Sequence, residues 1–192
     1  MNMGLNMLQS GIKKLSYEDY TAGLKAVLEG SKPVLSMDEA AGILNKYFEE
    51  IEAEQKADQA EIAAAFKAEG EKFLKENAAK EGVKVLPSGL QYKVLTEGNG
   101  RKPKASDRVR CHYEGRFTDG QVFDSSYRRG QPAVFGLKQV IGGWTEGLQL
   151  MAEGSKYELY IPYQLGYGEM GSSGAIPPCA ALVFTVELLE VL

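Results

Sequence analysis

Few residues in this chain of 192 can act as a nucleophile, hold a metal or shuttle a proton near neutral pH. There is one histidine, His112, and there are two cysteines, Cys111 and Cys179. A Ser-His-Asp triad or a histidine-based metal site therefore lacks parts. The cysteines lie too far apart for a metal-ligand spacing, and free buried thiols are the ordinary reading. No GxxxxGKS/T loop is present, and Gly98–Asn99–Gly100 reads as a turn rather than a nucleotide motif. Carboxylates are plentiful, but nothing in their spacing singles one out. His112 falls on the polar side of its strand, where a surface histidine is expected. An enzyme with this inventory needs a reaction that uses neither a nucleophile nor a metal, and no cofactor is implied.

The elements that must position such chemistry fall into two halves. From Gly82 onward the chain holds 16 of its 22 glycines, six of its seven prolines and 12 of its 18 aromatic residues. Before that point it is rich in Ala, Glu, Lys and Leu, all helix formers. Ser16 with Asp19 marks a helix start, and Gly30 a stop. Ser36 with Glu39 forms a capping box opening a second helix, with no strong breaker before Gly82. That helix would run about 45 residues. Ile43, Leu44, Tyr47, Phe48 and Ile51 make an apolar stripe along its start. Between Glu52 and Glu61 the only apolar residues are alanines, so this stretch is expected to stand in water. The interruption also argues against a sustained coiled-coil seam.

The first 51 residues carry Leu5, Leu8, Ile12, Leu15, Leu24, Val27 and Leu28 besides that stripe. So short a segment rarely buries this much apolar surface alone, and pairing of two chains is the expected remedy. The alternative is that it folds back on its own C-terminal half.

The second half alternates. Val109, Cys111, Tyr113 and Gly115 point one way, and Arg108, Arg110, His112 and Glu114 the other. Asp119–Gly120 is a hairpin turn, returning through Gln121–Val122–Phe123. Tyr157, Leu159 and Ile161 alternate with Lys156, Glu158 and Tyr160. Leu182, Phe184, Val186 and Leu188 share a face, and Leu90 to Leu95 makes another strand. A short helix opens at Gly143–Trp144, runs through Met151 and stops at Gly154. About five antiparallel strands and one helix imply an α+β domain.

The formal charge of −4 supplies no basic stripe for nucleic acid. No apolar run reaches the roughly 20 residues of a membrane span. Met1 to Ser10 has neither a basic nor a continuous apolar region of a signal peptide. A cytoplasmic setting is expected, or a periplasmic or outer-membrane-associated one if a signal has been removed.

Four blocks then carry a resemblance. They are VRCHYEGRFTDGQVFDSS at 109–126, VIGGWTEGLQLM at 140–151, LGYGEMGSSGAIPP at 165–178 and ALVFTVELLEVL at 181–192. They resemble the FKBP-type peptidyl-prolyl isomerases, in family order and spacing, and SGLQYKVLTEGNG at 88–100 extends the match. Residues 1–81 look like the helical N-terminal part of bacterial Mip-like and FklB-like members.

The resemblance implies an antiparallel half-barrel sheet wrapped on a short helix. It also implies an organisation: a helical dimerisation segment at 1–36, a long linker helix at 37–81 whose first part joins the dimer core, and an isomerase domain at 82–192. The implied activity is cis–trans isomerisation of Xaa–Pro bonds in folding polypeptides. Proline-containing clients, macrolide inhibitors and a homodimer partner follow from it.

Pocket positions carry over one by one. Tyr113 and Phe123 match the aromatic wall, Asp124 the polar rim, Trp144 the floor and Phe184 the remaining wall. Val140 and Ile141 match the segment whose backbone N–H, at Ile141, anchors a ligand. Tyr167 matches the hydroxyl that bonds a ligand carbonyl, and Ile176 a further ligand contact. Ala133 stands where many eukaryotic members carry an aromatic, and the loop from Pro132 to Val140 is shorter than theirs. From the residues alone, plain core filling is the ordinary reading of Trp144, and Asp124 either caps the turn at Ser125–Ser126 or pairs with Arg129. A binding module without turnover is the alternative function.

Overall fold

The computed structural model describes every residue except Met1, Lys13, Lys14, Lys32, Pro33 and Ser173, and leaves out the side chain of Met3. The chain divides into two compact units, Met1–Asp58 and Gln59–Leu192, and one helix contributes residues to both.

The first unit is helical: α1 (Asn2–Gln9), α2 (Tyr17–Leu28) and the opening part of α3 (Met37–Ala78). Both expected caps form. Ser16 Oγ accepts from the Asp19 N–H at 3.3 Å, and α2 ends before Gly30, which takes a left-handed φ of 67°. At the start of α3 the Ser36 N–H donates to Glu39 Oε2 at 2.9 Å, while the Glu39 N–H donates back to Ser36 Oγ at 3.3 Å. These bonds satisfy donors that the first turn of a helix leaves open. Apolar side chains stay uncovered in this unit, among them Leu8, Val27, Leu28, Ile43 and Leu44.

In the second unit α3 continues to Ala78, three residues short of the expected end. Ala79 and Lys80 donate to carbonyls three residues back, tightening the last turn, and Gly82 follows with φ of 80°. The residues from Glu52 to Glu61 are exposed, as expected. The strands are β1 (Val83–Val85), β2 (Gln91–Thr96), β3 (Arg108–Phe117), β4 (Val122–Ser125), β5 (Ala133–Gly136), β6 (Lys156–Ile161) and β7 (Leu182–Val191). They form one antiparallel sheet in the order β1-β2-β6-β7-β3-β4, with β5 also pairing β3. Seven strands replace the five or so expected. β1 and β5 are three and four residues long, too short for an alternation to show, and β5 occupies the stretch read as loop.

Register shifts at Arg110/Cys111 and Gly115/Arg116 bend β3, and the sheet curls around α4 (Gly142–Leu148). That helix ends earlier than Met151, its last carbonyls taken by a turn through Leu150 and Met151. Its glycines allow close contact: a Cβ on Gly143 would lie 2.6 Å from Ile161, and one on Gly147 would lie 2.8 Å from Leu159. The far face of the sheet takes the end of α3. Phe73 packs against Tyr160 with ring centroids 6.2 Å apart, and Asn77 donates to Gln91 Oε1 at 3.0 Å. Tyr160 and Val183, which alternation sends to the polar side, are buried there.

Candidate active site

Trp144 stands in the first turn of α4 and is only 4% exposed. Three aromatic rings meet it edge-on. Tyr113 lies at 5.2 Å and 84°, Phe135 at 5.2 Å and 81°, and Phe184 at 5.4 Å and 86°. Such T-shaped contacts set a positive ring edge against a negative face and hold the rings at fixed angles. Phe123 closes the circle, 5.6 Å and 86° from Phe184. The result is an open cup of about 210 Å³, lined also by Asp124, Gln139, Val140, Ile141 and Tyr167.

Strand alternation delivers these rings. Tyr113 on β3 and Phe184 on β7 are inward positions, and Gly115 pairs in register with both Phe184 and Asp124. Gly115 matters because it has no side chain. A Cβ there would lie 2.6 Å from Phe123 Cζ and 2.7 Å from Phe184 Cε1, so both rings close over bare backbone. The Trp144 Nε1–H is buried without an acceptor among the described residues. The floor therefore presents hydrocarbon and π surface to the cup.

Polar groups stand around this apolar interior. Ile141 is the residue before α4; its carbonyl accepts from the Trp144 and Thr145 N–H groups at 2.9 and 3.1 Å. Thr145 Oγ1 donates to the Leu137 carbonyl at 2.7 Å and pins the turn. Among the described residues the Ile141 N–H itself has no acceptor, as the first N–H groups of a helix often lack one.

On the opposite rim Tyr113 donates its hydroxyl to Asp124 Oδ2 at 2.5 Å. Arg129 pairs with Asp124 Oδ1 and donates to the Tyr113 hydroxyl at 2.6 Å. Burial is the largest single influence on the Asp124 carboxyl and pushes it up. The hydrogen bonds from Tyr113 and Arg129, with the Arg129 charge, outweigh it and hold the carboxyl below its ordinary range. Burial and the bond to Asp124 push the Tyr113 phenol up, so it remains a proton donor. Of the two readings of Asp124, the structure takes the pairing with Arg129. Tyr167 is 40% exposed at the mouth.

Eight of the ten residues singled out from sequence line this cup: Tyr113, Phe123, Asp124, Val140, Ile141, Trp144, Tyr167 and Phe184. Ala133 and Ile176 do not. Ala133 faces inward on β5 opposite Cys111, but a single methyl ends behind the wall. Ile176 is 6% exposed, packed into the core beneath its loop. Sequence reasoning missed Phe135 and Gln139. Phe135 shares the inward face of β5 with Ala133, two residues on, and supplies an aromatic wall there. No local signal pointed to it, because β5 is too short for alternation to show and Phe135 becomes a wall only through pairing with β3.

His112 stays away from the cup. It is half-buried on the other face of β3, stacked on Tyr127 at 4.7 Å with Nδ1 3.0 Å from Ser126 Oγ. Its neighbour Cys111 points into the core, where burial pushes the thiol up to about 12. The two adjacent residues therefore form no thiol–imidazole pair. Both cysteines are free and buried. Among the described residues no group of three His, Cys, Asp or Glu side chains could hold a metal ion, and no helix is long and apolar enough to cross a membrane.

Residues 99–189 match the model of the FKBP-type peptidyl-prolyl cis-trans isomerase, and residues 1–94 match the domain amino terminal to it. Over all 192 residues the chain is 45% identical to the FKBP-type 22 kDa peptidyl-prolyl cis-trans isomerase of Escherichia coli K12, covering 91% of that protein. The chain belongs to the FKBP-type peptidyl-prolyl cis-trans isomerases. It is also similar to the outer membrane protein MIP of Legionella longbeachae, 38% identical over 99% of this chain and 81% of that one. The crystal structure of FkpA from Escherichia coli superposes with a TM-score of 0.76 at 38% identity, covering 99% of this chain and 88% of that one. As an FKBP-type isomerase the chain needs no group that makes or breaks covalent bonds, which suits a sequence with one histidine and two cysteines.

Proposed function

We propose that the isomerisation takes place in the Trp144 cup, by withdrawing solvent from an Xaa–Pro carbonyl and holding the chain while the bond turns. The obstacle is the partial double bond of the imide, with a barrier of about 18–20 kcal/mol and a timescale of tens to hundreds of seconds. Water favours the planar form because it solvates the charge-separated carbonyl oxygen. Rings of Tyr113, Phe123, Phe135, Trp144 and Phe184 withdraw that solvation. The twisted transition state has less charge on oxygen, so it loses less than the planar ground state. The Ile141 N–H and the Tyr167 hydroxyl orient the chain about the rotating bond. Reaching milliseconds requires about 10⁴-fold acceleration, or about 5.5 kcal/mol, within reach of solvation and positioning.

The observation that carries this reading is an apolar cup left open by the protein's own side chains. Macrolides of the immunosuppressant class are expected to enter it. The test is a prolyl tetrapeptide assay titrated with such a macrolide while the emission of Trp144, the one tryptophan, is followed. Turnover should fall as the emission changes, with one midpoint. Full turnover at saturating macrolide, with emission unchanged, would place the reaction elsewhere.

Residues 1–36, with the first part of the helix at 37–81, act in this proposal as a homodimer interface holding two cups on one assembly. The uncovered Leu8, Val27, Leu28, Ile43 and Leu44 support it, since so much exposed apolar surface asks for a partner. Two cups raise the local concentration of a client that has already engaged one. In this proposal the protein's free buried thiols favour the cytoplasm, where thiols persist. Fractionation that found it with periplasmic markers would refute that.

A further inference from the structure

A second recess is built from the loop that follows Tyr167. It is an open groove of about 450 Å³ with Gln59 and Ile62 of α3 on one side and Met170, Ala175, Pro177 and Pro178 on the other. No charged residue lines it. Met170 is 85% exposed there and Ile62 46%, while Pro177 and Pro178 are half-buried and Ile176, which also lines the groove, is buried. Backbone bonds tie the wall's described residues together. The Cys179 N–H donates to the Gly168 carbonyl at 3.1 Å, and Ser172 and Ile176 exchange two backbone bonds at 2.9 and 3.0 Å.

Continuity with the cup identifies the occupant. Tyr167 lines the cup and Met170 the groove, so their Cα atoms stand no more than about 11 Å apart along the chain. An extended polypeptide advances about 3.3 Å per residue. A client whose proline lies beside Tyr167 spans that separation with three or four residues. We propose that the groove is a specificity subsite for a large apolar side chain of the client at that distance, so that α3 helps to choose the substrate through Ile62. An unfolded chain exposes such side chains, whereas a folded surface seldom does. The inference rests on the cup being the reaction site.

The test uses the full chain and three peptides: a prolyl tetrapeptide, and two longer ones carrying Phe or Ser four residues from the proline, made in both orientations. In one orientation the Phe peptide should be turned over with a kcat/KM about fivefold above the Ser peptide. Met170→Glu and Ile62→Glu should each bring that ratio to about one and leave tetrapeptide turnover unchanged. Met170→Ser is a milder variant with the same expected direction. A ratio of one in the unmodified protein, or an undiminished ratio in both Glu variants, overturns the subsite. Phe123→Ala separates the two readings: wild-type tetrapeptide turnover in that variant overturns the cup, and the groove with it.

Discussion

One methyl group added at Gly115 tests the cup more sharply than deletion of any wall. The new Cβ would lie 2.6 Å from Phe123 Cζ and 2.7 Å from Phe184 Cε1, where carbon atoms rest at about 3.5–4.0 Å. Each ring must back away by about 1 Å. Phe184 is 4% exposed and boxed in by Trp144 and Tyr113, and the open side of both rings is the cup itself.

Overpacking of this kind costs about 1–3 kcal/mol. A displacement of about 1 Å in positioned groups can cost about 100-fold in rate. Gly115→Ala is therefore expected to lose about 1–3 kcal/mol in urea unfolding followed by tryptophan emission. Its kcat/KM on a prolyl tetrapeptide should fall about 10- to 100-fold where the fold is intact. Gly70→Ala is the control, since its Cβ would meet Ala181 Cβ at 2.8 Å where α3 docks, away from the cup. It should lose stability and keep its turnover per folded molecule. Wild-type turnover in folded Gly115→Ala, or an equal loss in Gly70→Ala, would show that the shape of the aromatic cup does not set the rate.

Further outcomes concern the rim and the first unit. Tyr167→Phe should lower tetrapeptide turnover about three- to tenfold with unfolding unchanged; equal activity would make the hydroxyl dispensable. Asp124 has a folded value below its ordinary 3.8, so its contribution to stability is fully present above about pH 4 and is lost as pH falls through the lowered value. The effect is small, because the carboxylate is 40% exposed and solvent screens it. Asp124→Asn should flatten that acid-side slope in urea unfolding, and identical slopes would remove Asp124 from the account. Deleting residues 1–51 should give a monomer by sedimentation that turns over tetrapeptides but catalyses protein refolding poorly. A persistent dimer would put the interface elsewhere.

The cup was legible in the sequence in unequal parts. Tyr113 and Phe184 sit on strands whose alternation is visible in the chain, while Phe123 was legible only as the return of the Asp119–Gly120 hairpin. Their gathering around Trp144 was carried by matching motifs, since aromatic residues at alternating positions are more often plain core. Arg129 was visible as one of two partners for Asp124, and the three-way contact with Tyr113 was needed to choose between them. Ala133 and Ile176 were assigned by motif position, which conveys neither side-chain reach nor depth beneath a loop.

Local rules acting within a few residues were readable from the chain alone. The capping pairs Ser16–Asp19 and Ser36–Glu39, the turn at Asp119–Gly120 and the alternation of β3 each depend on neighbours no more than a turn or a strand away. What lay beyond that reach needed the folded chain. β5 has four residues and gains its identity only by pairing with β3, which turns Phe135 into a wall of the cup. Tyr160 and Val183 look outward by period, yet α3 docks over them from some 80 to 110 positions earlier in the sequence. Burial on that face is a property of two elements meeting, and no window along one strand contains it.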